Sequence, residues 1–209
     1  MPGQRPPVGP TWQTYQESIG DRSGLFETVT ATWAVERALY LGCYLDLSPS
    51  VAIPSVTYVD VDRRAARYFA DNTTAAAELR SRGVGERTIE FLHADYDGDL
   101  GLADGEFDLL ISLSAGPVWN HSRRYLRSRG LFLANTSHGD ASLAALDPAL
   151  ELVAAVHHRN DTYRLDSDDL DSYLQPKKPE TADPDLIRNS GRGIAYTRSA
   201  FAYLFRLRE

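Results

Sequence analysis

The sequence has a single cysteine, Cys43, so no internal disulfide can form, and no Cys/His cluster has the spacing of metal ligands. No metal is expected, and a reducing, cytoplasmic setting suits a lone thiol. Positive charge is scarce as well. The 22 Lys and Arg against 29 Asp and Glu give a net charge of −7, which argues against nucleic acid as a partner, because a phosphate backbone is held mainly by basic side chains. No run approaches the ~20 apolar residues that cross a bilayer, so no membrane partner is expected. The opening MPGQRPPVGP lacks the apolar core of a secretion signal and reads as a flexible tail over residues 1–10. There is no internal repeat and no phosphate-cradling G-x-x-x-x-G-K-[ST], which counts against kinases and GTPases.

What remains is an ordinary globular composition, 43% hydrophobic and 24% charged over 209 residues, enough for one domain spanning 11–209. Apolar residues at 12, 15, 19, 25, 26, 29 and 33 predict two amphipathic helices within 11–35, broken at Gly20 to Gly24. Trp12, Tyr15 and Trp33 on these helices are expected in the core; an apolar face left exposed there would make a homodimer contact.

Buried strands are predicted at ALYLG (38–42), VTYVDV (56–61), TIEFLH (88–93), FDLLISLS (107–114) and GLFLANT (130–136). SPSVAIP, with two prolines, limits any helix between the first two. DRRAARYFADNTTAAAELRSR reads as a crossover helix that breaks near residues 72–74, and VWNHSRRYLRSR as another helix. Strands alternating with helices predict an α/β fold with a doubly wound, mostly parallel sheet. Beyond residue 140, a helix (ASLAALDPAL), a strand (ELVAAVHHR), an acidic helix (DSDDLDSYL), a polar loop (QPKKPETADP) and a last strand (AFAYLFRLR) shape the substrate side. The acids of LDSDDLDSYL suit a helix start and form no calcium cage.

In such sheets ligands bind beyond the carboxyl ends of the strands, which selects Gly42, Cys43, Tyr44 and Asp46, then Asp60 and Asp62, then His93, Asp95 and Tyr96, then Ser112, Ser114 and Gly116. Asp60, ending the second strand, can accept hydrogen bonds from both hydroxyls of a ribose, with Asp62 as the helix cap beside it. Asp95 and Tyr96 suit an adenine amino group and ring face, although DYDGDLGLADGE is also plain turn chemistry.

VTYVDVD, HADYDGD and FDLLISLS, in this order of elements over residues 36–136, resemble the class I S-adenosylmethionine-dependent methyltransferases, a Rossmann-like family. The resemblance implies a seven-stranded α/β/α sandwich in which AFAYLFRLR is an antiparallel edge strand at the C-terminus. It also implies S-adenosylmethionine as cofactor, held by Gly42, Cys43, Asp60, Asp95, Tyr96 and Ser112, and a methyl acceptor that is a small molecule. The family's turn after strand one favours an acid followed by G-x-G-x-G. Here Tyr40 stands at the acid, Gly42 at the first glycine, and Tyr44 and Asp46 at the other two.

His121 and His138 are the candidate catalytic bases, able to take a proton from a hydroxyl or amine acceptor, with Trp119 as a pocket wall. A solvated or capping role is the alternative for both. His157 and His158 read as structural. Arg123, Arg124, Arg127 and Arg129 read as a solvated face, whereas Arg188, Arg192 and Arg198 in RNSGRGIAYTR suit either an anion clamp or an ordinary loop. A small-molecule methyltransferase is the expected function. The alternative is a non-catalytic partner subunit that keeps the fold without the cofactor, and a different nucleoside-using enzyme on the same sheet is a third.

Overall fold

The computed structural model describes residues 9–70, 72–113 and 115–209. Most of the expected 1–10 tail, residue 71 and the candidate Ser114 lie outside the described residues, and the break expected near 72–74 is not there, since those residues belong to a helix over Asn72–Ser81.

Two N-terminal helices, α1 (Trp12–Ile19) and α2 (Ser23–Thr32), precede β1 (Arg37–Leu41). Thr11 caps α1 by accepting from the Thr14 amide. A one-turn α3 (Pro49–Ala52) follows, with Pro49 at its first position, where a missing amide proton does no harm. Then come β2 (Ser55–Asp60), α4 (Arg63–Ala70), α5 (Asn72–Ser81), β3 (Thr88–His93) and β4 (Phe107–Ser112). Asp62 caps α4, accepting from the Arg64 amide at 2.7 Å. Past β4 the chain forms α6 (Trp119–Ser122), β5 (Leu126–Ala134), α7 (Asp140–Leu146), β6 (Leu150–Arg159), β7 (Thr162–Asp166), α8 (Pro184–Ser190) and β8 (Ala202–Leu207).

The strands form one sheet in the order β3-β2-β1-β4-β5-β8-β6-β7. β1 to β5 pair in parallel, β8 runs antiparallel to both β5 and β6, and β7 is antiparallel to β6. One core cluster covers the face carrying Phe26, Val29, Phe69 and Leu79; the other, with Trp119, Ala141 and Ala144, covers the opposite face. Helices on both faces of a mostly parallel sheet make the doubly wound fold expected from the sequence. Trp12 is buried in the first cluster, and Tyr15 and Trp33 pack half-buried against it, so all three serve the core. No helix among the described residues is long and apolar enough to cross a membrane.

Four details differ from expectation. The sheet has eight strands among the described residues, and β8 lies inside it rather than at its edge. Its side chains explain why: Tyr203 and Phe205 are buried on one face, Ala202 and Leu204 on the other, as a strand covered on both sides requires. The edge is instead β7, whose Arg164 and Asp166 leave it poorly suited to further pairing. Where the acidic helix is expected, β7 ends at Asp166 and only a short 3₁₀ turn forms, over Leu170–Ser172. There the Asp166 carboxylate accepts the Asp168 amide, and Asp169 is left-handed at φ +49°; side chain to backbone bonds of this kind compete with a helix. The polar loop contains a 3₁₀ turn over Pro179–Thr181 and its last residue opens α8, and α6 ends in a 3₁₀ turn before β5 begins at Leu126, earlier than expected.

Candidate functional site

The chain runs outward from β1 through β2 to β3 and returns to β4 on the other side of β1. The carboxyl ends of β1 and β4 therefore flank the place where strand order reverses, the usual ligand crevice of open parallel sheets. A cavity of about 510 Å³ beside Pro54, Arg87 and Thr88 lies at the opposite end of the sheet.

Gly42 opens the turn after β1 with φ +64°, its amide bonded to the Val59 carbonyl at 2.9 Å. A Cβ added there would stand 2.6 Å from the Ala115 Cβ, so the turn after β1 and the loop after β4 touch at this glycine. Tyr44, at the second glycine position, holds the left-handed backbone with φ +46°. Its ring meets Tyr15 edge-on at 4.8 Å and lies under the Arg64 guanidinium at 5.0 Å, where it borders a cavity of about 400 Å³ against α1. Asp46, at the third position, is fully buried and accepts from Arg22 Nη1 at 3.2 Å and from the Tyr40 hydroxyl at 3.0 Å. The two departures at Tyr40 and Asp46 are thus one construction, a hydrogen-bonded pair neutralised by a buried arginine. Burial, then the Asp46 charge, pushes the Tyr40 phenol well above its ordinary range.

Asp60 is half-buried at the tip of β2. One carboxylate oxygen accepts the Tyr44 amide at 2.7 Å and the other the Asp62 amide at 2.8 Å. A carboxylate offers about four acceptor positions, so roughly two are left for a ligand. Val61 beside it is 60% exposed, an apolar side chain at the rim of the crevice that sequence reasoning missed. His93 bonds the Val61 carbonyl at 3.0 Å. Asp95 is exposed, with one oxygen on the Asp97 amide at 3.1 Å. Tyr96 is half-buried and its phenol is bonded to the Gly116 backbone; burial raises it above its usual range. Gly42, Asp60, Asp95 and Tyr96 therefore all lie at one end of the sheet, around the carboxyl ends of β1 to β4.

Two of the expected cofactor residues turn their side chains into the protein. Cys43 is 1% exposed and its thiol faces the Tyr44 carbonyl at 3.6 Å; burial pushes it well above the usual thiol range. Ser112 is equally buried and donates to Asp140 at 2.5 Å. Asp140, missed in the sequence, is 1% exposed and also accepts the amides of Val118 at 3.1 Å and Trp119 at 3.4 Å. Burial, outweighing the bonds from Ser112, Val118 and Trp119, raises its carboxyl to about 6. Only the Gly-Asp step ahead of an alanine-rich run hinted at a residue opening a helix there.

His121 is exposed in α6, 3.7 Å from Asp97, and His138 is exposed in the loop after β5. Trp119 is no pocket wall: it is 1% exposed, stacks on Phe132 at 5.1 Å and donates its indole N–H to Asp147. Two of the three arginines of the expected clamp are engaged elsewhere. Arg188 pairs with Asp185, and Arg198 pairs with Asp166 and Asp169 while covering the Tyr173 ring at 3.9 Å. The segment holding them straps over the end of β5 instead, with the Gly193 amide on the Thr136 carbonyl at 3.0 Å. Arg124, Arg127 and Arg129 are exposed and pair with Asp99, Asp108 and Glu209. His157 bonds Tyr173 at 2.6 Å and His158 stacks on Tyr163. No group of three or more metal-ligating side chains occurs among the described residues.

No protein-family model and no curated protein matches the sequence. Among solved structures, the chain is similar to an arsenic(III) S-adenosylmethionine methyltransferase from Chlamydomonas reinhardtii, at 25% identity over 47% of this chain and 38% of that one, TM-score 0.41. It is similar to a methyltransferase from Geobacter sulfurreducens, at 15% identity over 78% of this chain and 91% of that one, TM-score 0.50. A candidate O-methyltransferase from Klebsiella pneumoniae matches at 14% identity over 70% of this chain and 77% of that one, also with TM-score 0.50. The last two likenesses establish the fold: the chain is built on the α/β architecture of methyltransferases.

Proposed function

We propose that the chain is an S-adenosylmethionine-dependent methyltransferase acting on a small polar acceptor. Asp60 carries this reading: a carboxylate at the tip of β2, tied to two backbone amides yet keeping acceptor capacity, beside an exposed apolar Val61. That combination fits a ribose and the face of a base. Asp60 would hold the ribose hydroxyls, Val61 and Tyr96 the base, Asp95 its amino group, and the turn at Gly42 the methionine part. The cofactor would supply a methyl group on a sulfonium that is already a good leaving group. The protein's share is then positioning and proton removal. His121, exposed in α6, and His138, exposed in the loop after β5, are the candidates for taking a proton from the acceptor. The strap over β5 would shape the acceptor side. The net charge of −7 favours a small molecule over nucleic acid, and the one buried thiol suits the cytoplasm.

A second reading, a partner subunit without cofactor, draws on the contact of Gly42 with Ala115 and the bond of Tyr96 to Gly116, which narrow the crevice. Calorimetry with S-adenosylmethionine and S-adenosylhomocysteine separates the two. Binding lost in Asp60→Ala supports the enzyme; no heat with either ligand on folded protein supports the partner subunit.

A further inference from the structure

Asp140 has no part in the function proposed above, yet it is a buried acid with three bonding partners beside the crevice. It sits at the first position of α7, directly after Gly139 with φ +97°. Its carboxylate accepts the Ser112 hydroxyl at one end of the loop after β4, and the Val118 and Trp119 amides at the other. Between those ends stand Ala115, packed on Gly42, and Gly116, bonded to Tyr96. One side chain on β5's connection thus holds both ends of the loop that walls the crevice. Burying a carboxylate is unfavourable unless strong donors meet it, and here backbone amides and a hydroxyl do so.

We propose that Asp140 is a positioning residue of the crevice: through Ser112, Val118 and Trp119 it fixes Ala115 and Gly116 against Gly42 and Tyr96, and so sets the width available to a cofactor. This rests on the reading of the crevice as a cofactor site. His121 of α6 and Tyr96 of the β3 loop are the titratable groups whose charges act between this loop and Asp140.

The test compares wild type with Asp140→Ala and Asp140→Asn, the second of which keeps an oxygen for the two amides and an N–H for Ser112. Amide hydrogen exchange without ligand reads the loop directly. Asp140→Ala is expected to speed exchange at Val118 and Trp119 at least ~10-fold, the loss of a hydrogen bond to a charged group, while core amides such as those of Leu39 and Tyr58 change far less. Calorimetry with S-adenosylhomocysteine is expected to show a similar loss of affinity, with Asp140→Asn restoring both readouts to within ~3-fold of wild type. Unchanged exchange at Val118 and Trp119, an equal increase across all amides, or an Asn variant that behaves like Ala overturns the proposal. Should Asp140→Ala not fold, Asp140→Ser, whose single short hydroxyl cannot meet Ser112 and both amides, is compared with Asp140→Asn in the same way, and normal exchange at Val118 and Trp119 in Asp140→Ser overturns it. If wild type binds no S-adenosylhomocysteine, the cofactor reading falls, and the exchange comparison alone decides the role of Asp140.

Discussion

The Tyr44 amide donates to Asp60 at 2.7 Å while Tyr44 itself holds φ +46°, so a residue with a bulky side chain performs the backbone task of a glycine. The left-handed conformation costs a non-glycine residue about 1–2 kcal/mol. The ring offsets this through its edge contact with Tyr15 and the Arg64 guanidinium above it, worth about 0.5–1.5 and 0.5–1 kcal/mol. Tyr44→Ala keeps the strain and loses the contacts; Tyr44→Gly loses both. Urea unfolding should therefore find the Gly variant more stable than the Ala variant by about 1 kcal/mol, with the Gly variant close to wild type. An Ala variant as stable as the Gly variant would show that the backbone is not strained.

Gly42 makes the complementary case, because here no side chain fits. Gly42→Ala adds left-handed strain and a Cβ 2.6 Å from that of Ala115, together about 2–4 kcal/mol. Adding Ala115→Gly removes the clash but not the strain, so the double variant should recover about half of the loss. A double-mutant cycle measures this coupling. Additive effects would mean that the turn after β1 and the loop after β4 do not touch in solution.

Much of the fold was legible because the strands other than β7 carry their own apolar signature. Thr88–His93 matches the expected strand at both ends, and the parallel pairing of β1 to β5 follows from alternation with helices. The interior place of β8 was also written in AFAYLFRLR, whose apolar residues fall on both faces, a pattern an edge strand does not need. The site was half legible. Asp60 stood out because an acid ending a buried strand has few structural uses, whereas Asp140 lies among ordinary loop residues and gains its meaning only when α6 and β4 converge on it. Ser112 and Cys43 stood at the right height but on the buried side of the chain, which depends on strand twist and loop course rather than spacing. Arg22 was silent for a similar reason: its partner Asp46 is brought to it by the turn at Gly42.

That pair is the basis of a third expectation. Arg22 and Asp46 are almost wholly buried, with the Tyr40 hydroxyl on the same oxygen. Removing one partner of such a pair leaves an uncompensated charge and costs about 3–5 kcal/mol. Asp46→Leu and Arg22→Met should each destabilise by that order, while the double variant loses clearly less than their sum. Thermal and denaturant unfolding provide the check. Full additivity would imply that each group finds water or another partner when alone.

Asp140 supplies a pH dependence with a definite sign. Its carboxyl lies at about 6 in the folded protein against an ordinary value of 3.8, because burial outweighs the bonds it accepts. Between those values the folded chain keeps the proton while the unfolded chain releases it, so this group favours folding fully below 3.8, and the contribution is lost as pH rises through about 6. The gap amounts to about 3 kcal/mol. Asp140→Asn has no proton to lose, so subtracting its stability from that of wild type cancels the other acids. Urea unfolding from pH 4 to 7.5 should show wild type losing about 2–3 kcal/mol relative to the Asn variant, most steeply between pH 4 and 6. Repeating the series in a His121→Gln background removes the imidazole whose charge acts on Asp140. If the difference stays flat across the series, the carboxylate is better solvated or better paired than its burial indicates.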